Sequence, residues 1–137
     1  MKHAVRWFFA LGFAGAGALH FVDPEAYVRI MPPYLPWHFE LVILSGFFEI
    51  AGGLGLLIPR LRRAAAFGLA ALLLAVLPAN IHMAVHHLPF GTHPVPTWLL
   101  WARLPFQAML LAGVLWCASP GRGRATGPTV SHDIRHG

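Results

Sequence analysis

Long apolar runs separated by short polar interruptions dominate the chain, and the length of the runs predicts its elements. Apolar residues fill about residues 4–22, 41–58, 64–85 and 98–118. Each run holds about 18 to 22 residues, close to the ~20 that cross a hydrocarbon core as an α-helix. Glycines and prolines inside the runs fit membrane helices, which tolerate both. Pro78 lies within the third run, "RLRRAAAFGLAALLLAVLPAN". It predicts a kink there, because it frees the carbonyl of Leu74 four residues earlier. The pattern predicts an all-α, integral membrane four-helix bundle over residues 1–118. Residues 119–137, which include "GRGRATGPTV", read as a disordered basic cytoplasmic tail.

Composition turns the apolar pattern into a membrane assignment. Apolar residues make up 57% of the 137 and charged residues 11%, against roughly a quarter charged in an average soluble domain. A chain this small has too high a surface-to-volume ratio to bury so much apolar surface on its own, so the expected partner is a lipid bilayer. The net charge of +5 does not indicate a nucleic-acid partner, because the basic residues lie between apolar runs and not on one face of a soluble scaffold.

Charge also predicts orientation. Arg60, Arg62 and Arg63 fill the turn between the second and third runs, and short positive loops stay cytoplasmic. Both termini then lie on the cytoplasmic side of the cell inner (plasma) membrane. Eight of the ten basic residues fall on that side: Lys2, Arg6, Arg60, Arg62, Arg63, Arg122, Arg124 and Arg135. Arg29 and Arg103 fall on the other. Trp7 and Trp116 come at inner helix ends, and Trp37, Trp98 and Trp101 at outer ones, as an aromatic belt requires. The first run also carries the basic start and Ala-x-Ala (Ala16 to Ala18) of a cleavable signal peptide. A retained helix is favoured, because Gly12, Gly15 and Ala16 form a small-residue face suited to helix packing.

Against this background the polar residues inside the runs stand out. Glu49 falls near mid-membrane by a ~1.5 Å rise per residue. Asn80, His82, Arg103 and Gln107 fall in the outer half or near the middle, and His20, Glu40 and His86 close to the outer boundary. Intramembrane charges are costly, face the bundle interior and seek partners. Glu49 shares a helix face with Ser45, Gly46, Gly52 and Gly53, at offsets of three and four, and that face admits a close neighbour. Arg103 and Gln107 share a face of the fourth helix. The expected arrangement is a Glu49–Arg103 ion pair with Asn80 or Gln107 completing its hydrogen bonds. His20 joins them in an outward-facing polar pocket. The alternative is a snorkelling Arg103 that leaves Glu49 on its own.

Six of the nine histidines (His20, His38, His82, His86, His87 and His93) fall on or near the outer side. His82 and His86 are four apart, an acceptable metal-ligand spacing, and bis-histidine haem would need His20 to face one of them. The wet boundary accounts for interfacial histidines more simply, so no metal, haem or other cofactor is assigned. Cys117 is the single cysteine, which excludes a thiol oxidase that works through its own cysteine pair. No Walker loop, GxGxxG or Ser-His-Asp set occurs, and no catalytic residue is assigned.

Taken in order, "GALHFVDPEAYVRIMPPYLP", "LSGFFEIAGGLGLLIPRLRRAAAFGLAALL", "LPANIHMAV" and "RLPFQ" closely resemble the DoxX-like family of small four-helix bacterial membrane proteins, over about residues 8–117. The resemblance rests on Gly17, His20 and Phe21; on Pro24, Pro32, Pro33 and Pro36; on Gly46 and Glu49; on Pro78 and Asn80; and on Arg103, Pro105 and Gln107. It implies a four-helix inner-membrane bundle. Some relatives are subunits of thiosulfate:quinone oxidoreductases or associate with thiol and oxidative-stress systems. The expected function is therefore an auxiliary membrane subunit, not catalytic alone, tied to quinone- or thiol-linked redox chemistry. A quinone is the candidate ligand, with a redox protein or a second copy of the chain as partner. The rival expectations are an oligomeric carrier of an ion or small solute, using Glu49 with Arg103, and a scaffold for a partner enzyme.

Overall fold

The structure is a computed structural model, and it describes residues 2–119. Four long helices appear where the apolar runs predict them: α1 (Lys2–Val22), α3 (His38–Leu57), α4 (Arg62–Val85) and α5 (Thr97–Ala118). All four are long and apolar enough to cross a membrane. The expected tail begins at Ser119, and residues 120–137 lie outside the described residues.

Two local features depart from the sequence reading. A fifth, short helix, α2 (Pro24–Val28), follows α1 directly. Asp23 caps it, accepting a hydrogen bond from the Ala26 N–H at 3.2 Å, and Pro24 sits at its first position, where no backbone donor is needed. Arg62 and Arg63 belong to the first turn of α4, so the turn between α3 and α4 is shorter than expected and holds only Arg60 of the three arginines. α4 runs unbroken through Pro78.

The helices pack in the order α1 on α3, α3 on α4 and α4 on α5, with α1 and α5 touching more sparingly. Small residues set the closest approaches. A Cβ on Gly17 would come 2.5 Å from the Gly46 carbonyl oxygen, and one on Gly53 would come 2.9 Å from the Ala10 carbonyl oxygen. Gly52 meets Leu69 of α4 in the same way. The small face of α3 thus works as predicted, toward two neighbours. The small face expected on α1 does not: Gly12 and Gly15 have open space beside them, and Gly17 makes the contact instead.

Apolar packing gathers in two clusters. One, around Phe13, Leu56, Leu69 and Val114 with Cys117, lies toward the α3–α4 turn. The other joins Ile30, Met83, Ala84 and Leu100 under the loops at the opposite end. The polar residues singled out in the sequence fall largely between them. Trp37, Trp98 and Trp101 are exposed at the loop end, and Trp7 and Trp116 at the turn end.

Candidate functional site

Glu49 leaves α3 one turn past the Gly46 contact, and His20 leaves α1 one turn past Gly17. The two helices run antiparallel, so the two residues start on opposite sides of the glycine crossing. Helical side chains lean toward their own N-terminus, which here inclines each of the two toward the other. They meet with His20 Nδ1 3.8 Å from Glu49 Oε2, in the space that a glycine-only crossing leaves.

That separation is too long for a hydrogen bond. His20 Nδ1 lies 3.0 Å from the Ala16 carbonyl oxygen. A carbonyl can only accept, so Nδ1 carries a hydrogen and donates it there. Glu49 Oε2 is left buried with no hydrogen-bond partner among the described residues. Native structures seldom leave such an atom unpaired, and its presence requires a physical reason.

Tyr27 closes the site from above. The short helix α2 folds it back so that its ring stacks on His20, with centroids 3.8 Å apart and planes 22° from parallel. Phe90 packs against it in a T-shaped contact, with centroids 5.0 Å apart. Burial pushes the Tyr27 phenol above its ordinary range, and Glu49 and Arg103 act on it in opposite directions. It therefore lies within electrostatic reach of both charges. Sequence reasoning missed Tyr27. The signal was the Asp23-Pro24 start of α2, which marks a helix long enough to turn the chain back over α1.

The expected Glu49–Arg103 pair does not form. Arg103 donates from Nη1 to the Met83 sulfur at 3.3 Å, a weak acceptor on the adjacent helix. Asn80 and Gln107 serve each other and not Glu49. Asn80 Nδ2 donates to Gln107 Oε1 at 2.8 Å, and Gln107 Nε2 donates to the Leu73 carbonyl oxygen. Gln107 also lines an apolar groove of about 200 Å³ between α4 and α5, to which His20, Glu49, Asn80 and Arg103 do not contribute. The five residues expected in one pocket thus divide into three contacts: His20 with Glu49, Asn80 with Gln107, and Arg103 with Met83.

The His82 and His86 rings lie against each other with centroids 4.3 Å apart and planes tilted by 39°. His82 Nδ1 bonds the Ile30 carbonyl oxygen at 3.2 Å, and His86 Nδ1 bonds that of His82 at 3.0 Å. No third ligand joins them: no group of three or more His, Cys, Asp or Glu gathers among the described residues.

The chemistry available is that of a carboxyl whose buried oxygen has no partner among the described residues, an imidazole with one unused nitrogen, and a phenol laid over the ring. A hydroxyl placed there could donate a hydrogen bond or a proton to either group. A family model described as "Domain of unknown function (DUF8561)" matches residues 9–118. No curated protein and no solved structure matches the chain.

Proposed function

Because the chain belongs to the DUF8561 family, whose description assigns no activity, we propose its function from the site itself. It is a multi-pass protein of the cell inner membrane with both termini cytoplasmic, and an auxiliary subunit of quinone-linked redox chemistry, as the DoxX-like resemblance suggests. The head group of a lipid-soluble quinone binds at His20 and Glu49. The observation that carries this reading is the buried, unpartnered Glu49 Oε2 beside an imidazole that already stacks a phenol. A phenol is the nearest side-chain analogue of a hydroquinone, so Tyr27 occupies the face that a quinone ring would take. Glu49 then accepts a hydrogen bond from a hydroquinone hydroxyl while the ring stacks on the His20 imidazole. Reduction of a quinone needs two electrons and two protons. Glu49 and His20 are suited to moving protons, and a partner protein must supply the electrons. The sequence holds a single cysteine, so quinone is favoured over exchange through a cysteine pair.

The test is the quinone content of protein purified in mild detergent, read by solvent extraction and chromatography. Wild type should retain quinone above the level carried by an unrelated membrane protein, and Glu49→Gln should retain about tenfold less while unfolding at a similar temperature. Equal retention by the two would sink the quinone site. Solute flux in proteoliposomes that Glu49→Gln abolishes would favour the carrier reading in its place.

A further inference from the structure

Among the described residues, the turn end of the bundle gathers positive charge with no acid near it. α1 and α4 both begin there, with Lys2 and Arg6 near the start of α1, Arg62 and Arg63 opening α4, and Arg60 in the turn before it. Neither helix has an acidic residue in its first turn. The acidic residues among the described residues are Asp23, Glu25, Glu40 and Glu49, which lie at the loop end or in the middle. A helix N-terminus carries partial positive charge and is stabilised by anions. Two such termini surrounded by cations leave a positive field that the described residues do not balance.

Arg6 gives that field a specific site. It is only 8% exposed, and its Nε is buried with no hydrogen-bond partner among the described residues. Ala10, one turn later on the same face of α1, packs on Gly53 of α3, so Arg6 falls beside the last turn of α3. The carbonyls of that turn could have served it. Arg62 already takes one, donating from Nε to the Leu56 oxygen at 3.1 Å, and α3 has no basic residue of its own there. The Arg6 stem leans toward the N-terminus of α1, which directs its guanidinium at the end surface.

We propose that Arg6, with exposed Arg60 and Arg63 nearby, binds the phosphate of an anionic phospholipid head group. A guanidinium offers a planar fork of donors that matches two phosphate oxygens. The end of four membrane-length helices lies at head-group depth, where basic pockets between helices take anionic lipids. Trp7 and Phe8 on the same end of α1 are exposed and offer an apolar wall to the acyl chains.

The experiment titrates phosphatidylglycerol, phosphatidylcholine and inorganic phosphate into the full chain in a neutral detergent. Bound lipid is read by native mass spectrometry and the unfolding midpoint by a thermal melt. Phosphatidylglycerol should bind about tenfold more tightly than phosphatidylcholine and raise the midpoint. Arg6→Gln should lose that preference, and Arg29→Gln, at the other end, should keep it. A double Arg60→Gln, Arg63→Gln variant should bind about fivefold more weakly per arginine removed. The remaining preference should survive high salt, since a buried contact is screened less than an exposed one. Should Arg6→Gln fail to fold, Arg6→Lys decides the matter: it keeps the charge but loses the fork, so affinity should fall partway. Unchanged phosphatidylglycerol preference in the Arg6 variant that folds would overturn the site. Inorganic phosphate competing as well as the lipid would show a simple anion site and overturn the lipid assignment.

Discussion

Glu49 and Arg103 bring an acidic and a basic side chain into one small bundle without meeting, and the reason lies in register. Their depths could be counted from the sequence, because rise per residue is fixed. Which helix faces which, and at what offset, depends on where backbones come closest. Here Gly17 on Gly46 decides it. That crossing gives Glu49 to His20, which lies three residues past Gly17 as Glu49 lies three past Gly46. Both Gly-x-x-polar spacings are present in the sequence, but nothing in either marks the other as its neighbour. The consequence is measurable by double-mutant cycles on unfolding. His20→Asn and Glu49→Gln should be non-additive by about 0.5–3 kcal/mol, as expected for residues in contact. Glu49→Gln and Arg103→Gln should add to within about 0.5 kcal/mol. Strong coupling in the second cycle and none in the first would restore the expected ion pair.

At the scale of elements, the helices were legible and their interfaces only partly so. Hydropathy over about 20 residues identifies a membrane-length helix whatever it packs against, which is why α1, α3, α4 and α5 lie within a few residues of their predicted spans. α2 was missed because five residues carry too little periodicity, although its cap signals were present. Small residues mark where helices can approach, not which of several small faces is used. Two sets of glycines on α1 and α3 separate these cases. Gly17→Ala and Gly46→Ala force a Cβ against a facing backbone carbonyl and should each lower stability by about 1–3 kcal/mol, the usual cost of overpacking. Gly12→Ala and Gly15→Ala enter open space and should be neutral or stabilise by about 0.5–1 kcal/mol, since alanine is the better helix former. Thermal melts in one detergent check both pairs, and equal losses at all four positions would refute the α1–α3 register. The α4–α5 interface has a polar counterpart. Gln107→Leu leaves Asn80 Nδ2 and the Leu73 carbonyl without their partner, at a cost of about 1–3 kcal/mol. Adding Asn80→Leu should recover part of that loss, because it removes the donor left unsatisfied.

The whole molecule is polarised along its axis, and that polarity predicts how it lies in the membrane. Among the described residues the turn end holds Lys2, Arg6, Arg60, Arg62 and Arg63, and the other end and middle hold Arg29 and Arg103. Arg29 is further neutralised by Glu25, 3.9 Å away. Short positive segments resist translocation, so the α3–α4 turn should stay in the cytoplasm and the loop between α4 and α5 should cross. Single cysteines on a Cys117→Ala background test this. Thr92→Cys should react with a membrane-impermeant maleimide in cells whose outer barrier has been opened, and Leu61→Cys should react only after the inner membrane is permeabilised. The reverse pattern would invert the topology, and with it the side on which Arg6 meets lipid. Charge, not the helices, should set the direction. Replacing Arg60, Arg62 and Arg63 by Gln leaves the apolar spans untouched, so the chain should still insert. It should lose its single orientation, seen as partial labelling of both Thr92→Cys and Leu61→Cys in unpermeabilised cells. Full retention of the original pattern would assign the orientation to the residues that remain basic at the two termini.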